Sequence, residues 1–412
     1  MSTTYYRAYN LKHFMNKSKV DIVTTTLFEY RKIAQKLAGN QWRIFFETGK
    51  FNKNESVLRK QTQSKLSERY KQTAQYQVVG CLKSFIANRK HDFKRIVYFS
   101  NLDEETKKEL FTINKQQKWF EPENKLARKI IKRVLKKHRK PSFKKCNMVL
   151  DAKQMSIAKS KKGHFDYWIN LSTINKGQKI YVPLKSNKYF NSQNGDIRNS
   201  IQINYNNNTL SFAFVKEKKQ KKYVPETDKI GLDVGLNYIC ATNFGDLFGQ
   251  KNRVLNTLKK YDRLITGLAK KRQKQGLKVR SPKYDNLVKN VRQFLKNEIN
   301  RILNRIMTLY KPAEIVIERL LFQSMNLSKR LNRLLSNFGR SVFKNKLNSL
   351  FEEYGIQITK VNAMYTSQEC SSCHYIHKKN RKTRDKFLCQ HCGYKLHADI
   401  NASRSILNRS TT

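Results

Sequence analysis

The chain has 412 residues, enough for two or three domains each with its own core, and its 39% hydrophobic content excludes a generally disordered polymer. Its 85 Lys and Arg against 30 Asp and Glu give a formal charge of +55, which opposes compaction and calls for a neutralising polyanion. An AT-rich genome would raise Glu along with Lys, and acids are scarce here, so a nucleic acid is the expected partner. An anionic membrane is the rival. Against it stand the absence of an apolar run of about 18 residues, of a signal peptide and of a single basic amphipathic anchor. The chain is therefore expected in the cytoplasm, with no membrane partner.

In chain order, Thr3–Tyr9 is short and rich in strand formers, and reads as a strand. From about Ser18 to Lys140 the apolar residues recur three or four apart, as in Leu27, Tyr30, Ile33, Ala34 and Leu37, and in Val78, Cys81, Leu82 and Phe85. Asp103 followed by Glu104 and Glu105 reads as a helix cap with acids in the first turn. Pro141 closes this helical section. Between Phe143 and Tyr223 the period becomes two. Short runs at Phe165–Leu171, Ile180–Leu184, Ile201–Tyr205 and Leu210–Val215 suggest a small antiparallel sheet or barrel, with a hairpin turn at Asn206–Asn208. The first strand is a candidate member of that sheet, which would make the helical section an insertion. Lys216–Lys222 reads as a charged hinge.

Beyond it, strands at Lys229–Val234 and Tyr238–Thr242 precede two helices, Leu255–Arg272 and Tyr284–Leu309. The first carries a stripe of Leu255, Leu258, Tyr261, Leu264 and Leu268. A strand at Glu314–Glu318, a helix over about Arg340–Tyr354, a strand at Ile356–Val361 and a last helix after Asp399 complete an α/β pattern.

Four of the seven cysteines form one cluster, Cys370-x2-Cys373 and Cys389-x2-Cys392, separated by fifteen residues. Each C-x2-C makes a knuckle that turns both sulfurs toward one tetrahedral ion, so the spacing predicts one structural Zn2+. A secreted disulfide framework does not fit an odd, clustered set. A redox pair is the other use of C-x2-C, and four cysteines speak against it.

Three acids stand in apolar settings on separate elements: Asp233 in Ile-Gly-Leu-Asp-Val-Gly-Leu, Glu318 at the end of Glu-Ile-Val-Ile-Glu, and Asp399 at the start of a small-residue helix. A lone buried carboxylate is costly, and three converging ones need a cation that favours hard oxygen ligands, magnesium or manganese. Asp399 could instead be a helix cap, and Glu318 could pair with a lysine.

These blocks, Ile230–Asn237, Glu314–Leu320, Thr366–Cys373, Cys389–Gly393 and Asp399–Ala402, together resemble the RuvC nuclease and zinc ribbon of TnpB proteins, the transposon-encoded relatives of miniature type V CRISPR effectors. Two positions depart from that pattern: His397-Ala398 stands where Asp-Arg is frequent, and His374 where Gly is common. The resemblance implies a multidomain α+β chain. Its nuclease domain would be ribonuclease-H-like (RuvC) α/β at 226–365 and 395–412, with the ribbon at 366–394 as a target-nucleic-acid-binding module. A β-barrel-like wedge domain would occupy 1–15 and 143–225, carrying a helical recognition domain inserted at 16–142. It further implies a guide RNA, from a transposon end or a CRISPR array, and a target DNA. Asp233, Glu318 and Asp399 would hold two Mg2+ or Mn2+ ions for phosphodiester hydrolysis, with Asp233 bridging both. Asn401 is a candidate to orient a metal ligand or to turn a helix N-terminus. Arg7, Lys12, Lys53 and Lys125–Lys140 are candidate phosphate contacts, and the early tyrosines candidate base platforms or core residues. A guide-RNA-dependent DNA-binding protein without cleavage, or a DNA-joining transposase, would use many of the same features.

Overall fold

A computed structural model of the chain describes residues 3–160, 163–175, 177–206, 208–318 and 327–410, and separates two compact units, Tyr6–Lys218 and Met1–Tyr5 with Lys219–Thr412. Among the described residues, no helix is long and apolar enough to cross a membrane.

In the first unit, strand β1 (Thr4–His13) is followed by helices α1 (Lys17–Thr48), α2 (Val57–Lys60), α3 (Glu68–Tyr98), α4 (Glu104–Gln116) and α5 (Lys125–Lys136). Then come β2 (Met148–Leu150), β3 (Met155–Lys159), β4 (Tyr167–Ser172), β5 (Lys179–Lys185), the single turn α6 (Lys188–Asn191), β6 (Asp196–Asn206) and β7 (Thr209–Lys219). The seven strands form one sheet in the order β2-β6-β7-β1-β5-β4-β3. The first strand thus lies at the centre of a sheet whose other members arrive more than a hundred residues later, and five helices occupy the interval. Helix α1 starts where the Asn16 side chain accepts from the Lys19 N–H at 3.0 Å and stops at Gly49, whose φ of 76° suits a residue without Cβ. Asp103 caps α4 in the same way through the Thr106 N–H, 2.7 Å.

Two details, at Cys81 and Lys216, depart from the sequence reading, and the early tyrosines, left between base platforms and core, divide between the surface and the core. Cys81 is exposed, and the buried face of α3 runs through Val78, Val79, Leu82 and Ile86 instead. Tyr5 and Tyr9 are core residues, while Tyr6 is exposed beneath the Arg198 guanidinium. Lys216 is no solvated hinge residue: β7 runs through it, and its buried Nζ donates to the carbonyls of Phe190 and Gln193, 2.9 and 2.7 Å. Of the predicted hairpin turn, Asn207 lies outside the described residues; Asn206 pairs with Thr209, and Asn208 has φ 59°.

The second unit contains β8 (Thr227–Val234), β9 (Cys240–Thr242), β10 (Leu247–Phe248), α7 (Arg253–Lys274), α8 (Pro282–Tyr310) and β11 (Pro312–Glu318). These are followed by α9 (Lys329–Leu334), a π-helical turn (Leu335–Gly339), α10 (Arg340–Tyr354), β12 (Gln357–Val361), β13 (Lys386–Leu388), β14 (Lys395–His397) and α11 (Ala398–Asn408). Five strands form a mixed sheet, β10-β9-β8-β11-β12, in which β8, β11 and β12 are parallel and β9 and β10 antiparallel. Ile230, Leu232, Ile315 and Ile317 of the parallel strands join one core with α7, α8 and α10. On α7 that core takes Val254, Leu255, Leu258 and Ile265 but leaves Leu264 exposed. From Leu255 to Leu264 the stripe steps by three, and each such step recedes about 60° around a helix of 3.6 residues per turn, so Leu264 has rotated out of the core.

Candidate carboxylate and four-cysteine site

The parallel ladder decides where the first two acids emerge. Ile317 of β11 pairs with Leu232 of β8, so the next residues, Glu318 and Asp233, leave adjacent strands on the same face. That face also carries Gly231, against which α11 packs. A Cβ on Gly231 would lie 2.9 Å from the Leu407 Cβ and nearer still to the Ser403 carbonyl oxygen. The glycine therefore lets α11 seat directly on the strand, which brings its first turn, with Asp399, toward the other two acids. Gly235 closes the turn after β8, where a Cβ would meet the Tyr238 carbonyl at 3.1 Å. Asp233 and Glu318 stand at the carboxyl ends of two adjacent parallel strands, the usual place for a site in an open α/β sheet, and Asp399 joins them from the first turn of α11.

Their proximity is felt electrostatically. Burial, then the charges of Asp399 and Glu318, push the Asp233 carboxyl up to about 8, against the opposing charge of Arg381. Burial also raises Glu318, while a hydrogen bond from Thr366 and the Arg409 charge pull the other way. Each flanking acid has a partner. The Thr366 hydroxyl donates to Glu318 Oε2 at 2.6 Å, and Arg381 donates to Asp399 Oδ1 at 2.9 Å.

Both partners come from the cysteine module. There the four Sγ atoms lie within 4.8 Å of one another, with Cys370 to Cys392 at 3.7 Å and Cys373 to Cys389 at 3.6 Å. Bonds of about 2.3 Å to a tetrahedral zinc would separate sulfurs by roughly 3.8 Å, so the set fits that ion closely. Among the described residues this is the one group whose ligand atoms are drawn together so tightly.

Glu369 and Asn401 tie this module to α11. The Asn401 side chain donates to the Glu369 carbonyl at 2.7 Å and accepts from the Ser371 N–H at 3.0 Å, gripping the backbone on both sides of Cys370. Expected to orient a metal-binding carboxylate or turn a helix start, it instead fixes the first cysteine knuckle. The Glu369 carboxylate receives Arg409 (Nε at 3.0 Å) and lies 3.1 Å from His374 Nδ1. Both departures from the TnpB pattern gain a physical reason here. His374 adopts φ 59°, where glycine is unstrained, with its ring against Glu369. His397 caps α11, its Nδ1 accepting from the Asp399 N–H at 3.3 Å.

Thr366, Glu369, Arg381 and Arg409 are site residues that sequence reasoning did not single out. Thr366 heads a block already quoted for its cysteines, but Arg381 sits in a basic run, Lys378–Arg384, that offers nothing to distinguish it.

A mixed α/β unit with a carboxylate cluster at its strand ends and a four-cysteine ribbon defines the class. Comparison with known proteins narrows it. Residues 341–406 match the model of the Cas12f1-like TNB domain. The chain is 31% identical over 217 residues to a TnpB-like protein of Aquifex aeolicus, aq_aa05, covering 46% of this chain and 68% of that protein. It is 30% identical over 206 residues to the "Putative RNA-guided DNA endonuclease InsQ" of Escherichia coli K12, a match spanning 44% of this chain and only 49% of InsQ. Over 75 residues, 18% of each chain, it is 40% identical to the CRISPR-associated endodeoxyribonuclease Cas12f1 of Sulfoacidibacillus thermotolerans. In fold it is similar to C2c1 of Alicyclobacillus acidoterrestris, solved with a single-guide RNA, at a TM-score of 0.52 and 7% identity, covering 98% of this chain and 88% of that one. The chain belongs to the TnpB-like family.

Proposed function

We propose that the chain is an RNA-guided DNA endonuclease with a RuvC-like, ribonuclease-H-like nuclease domain, in which Asp233, Glu318 and Asp399 hold divalent metal. The reading is carried by the meeting of three carboxylates from distant stretches of chain, with one of them lifted to about 8 by burial and the other two. A donor set made only of carboxylate oxygens suits Mg2+ or Mn2+, which Asp233, central among the three, would hold together with Glu318 and Asp399. Bound there, such ions would supply an activated water and charge stabilisation for the leaving oxygen of a phosphodiester.

The chain's own residues prepare that place. Thr366 fixes the Glu318 carboxylate, Arg381 offsets the repulsion among the acids, and Asn401 holds the ribbon against the helix that delivers Asp399. The four cysteines would hold one structural Zn2+ and so keep Thr366 and Arg381 in position. The names of the relatives and the +55 charge support a guide RNA and a target DNA as partners. In this reading 1–15 with 143–225 forms the wedge-like domain, 16–142 the recognition domain, 226–365 with 395–412 the nuclease and 366–394 the ribbon.

The test is a cleavage assay with the RNA that co-purifies from the host and DNA matching it. Asp233→Ala, Glu318→Ala and Asp399→Ala should each abolish magnesium-dependent cutting while leaving RNA bound. Undiminished cutting by any of them would remove that residue from the site, and joined products in place of cut ends would favour strand transfer.

A further inference from the structure

A second concave site lies on α8, α9 and the π-helical turn. A cleft of about 780 Å³ opens between the start of α8 and this helix pair, within the volume range of pockets that take small ligands. Lys289, Arg292, Arg330 and Arg333 line it, with Tyr284 and Phe338. Its acid, Asp285, is already engaged by Arg280 at 2.9 Å, and among the described residues no carboxylate pairs with the other four cations. Like charges gathered in a concavity repel one another and raise the local positive potential, which favours an anion there over one on a convex basic surface.

The aromatic residues make the cleft more than a basic patch. Arg330 of α9 lies over the Tyr284 ring of α8, 5.8 Å to the centroid, and Arg292 of α8 lies over the Phe338 ring of the π-helical turn, 5.6 Å. The two stacks cross the cleft in opposite directions. Each guanidinium is drawn toward a ring and leaves N–H groups for phosphate oxygens, and each ring, packed against the unit's core on one side, still lines the cleft where a base can meet it. Phe338 sits on the π-helical turn, a wide and uncommon geometry that recurs at functional sites.

We propose that this cleft binds a single-stranded polynucleotide, its phosphates on Arg292, Arg330, Arg333 and Lys289 and its bases against Tyr284 and Phe338. The inference rests on the nucleic-acid reading above. Charge alone would accept a duplex equally well; the paired rings require unstacked bases.

The experiment is photo-crosslinking of the full chain, in EDTA, to a 5-bromodeoxyuridine-substituted DNA 12-mer and a 4-thiouridine-substituted RNA 12-mer, with adducts mapped by mass spectrometry. Adducts are expected within residues 279–292 and 330–340, and the oligomer that gives them identifies the strand as DNA or RNA. The double variant Arg292→Glu, Arg333→Glu should weaken binding by about tenfold and flatten its salt dependence. The exposed pair Lys270→Glu, Lys271→Glu, with the same charge change, should do far less. Adducts only elsewhere, equal losses in the two double variants, or equal crosslinking to the annealed duplex would overturn the proposal. No metal or cutting is involved, so failure here leaves the carboxylate assignment standing, and an inactive carboxylate site leaves this test intact.

Discussion

Asp233 is the residue in which the chemistry of the site is most concentrated. An ordinary carboxyl loses its proton near pH 4, whereas burial and two neighbouring acids hold this one to about 8. The sign of the linkage follows. Between about pH 4 and 8 the folded chain keeps a proton that the unfolded chain has released, so this group makes folding less favourable as pH rises. A divalent cation reverses that, because it binds the ionised form and has no proton to displace above pH 8. The rise in melting temperature on adding magnesium should therefore be larger at pH 8.5 than at pH 6.5, and largely absent in Asp233→Asn. Scanning calorimetry checks this; an increment independent of pH would contradict the assignment of Asp233. Much of this was legible in the sequence, since an acid interrupting an apolar strand is visible without coordinates. The partners were not. Thr366 and Arg381 reach the acids only because the ribbon folds back onto the sheet, and in a chain with 85 Lys and Arg no single arginine stands out.

At the scale of elements, the seating of α11 on β8 does the positioning. Ser403, Ser405 and Ala402 on the helix are small and buried, and Gly231 on the strand has no side chain, so the two backbones approach closely. Gly231→Ala pushes a methyl group into that contact and should destabilise the unit by about 1–3 kcal/mol, seen as a lower denaturation midpoint. It should also shift Asp399 and weaken metal binding more than Gly267→Ala, where a Cβ meets nothing. Equal behaviour of the two variants would contradict the close approach. The strands and long helices of this unit were readable from alternation, apolar runs and length. The stripe on α7 was misread because its leucines repeat at intervals of three, and the helical segment α9 with its π-helical turn went unnoticed because Arg, Asn and Ser break up its short apolar stretches.

Over the whole molecule, each unit has its own core, and the chain's charge far exceeds what its own acids can balance. In the second unit, three carboxylates gather by the carboxyl ends of β8 and β11 within a strongly basic chain, the pairing that the proposed function calls for. The first strand was anticipated as a member of the later sheet, but its central place between β7 and β5 was not, because a strand's partners depend on contacts far along the chain and local pattern reports only its period. The most direct measurement of the central claim is anomalous diffraction from crystals soaked in manganese. Manganese peaks are expected beside the carboxylates of Asp233, Glu318 and Asp399, and should vanish in Asp233→Ala. Peaks elsewhere, or none at that strand edge in crystals of the unaltered chain at pH 8, would contradict the account.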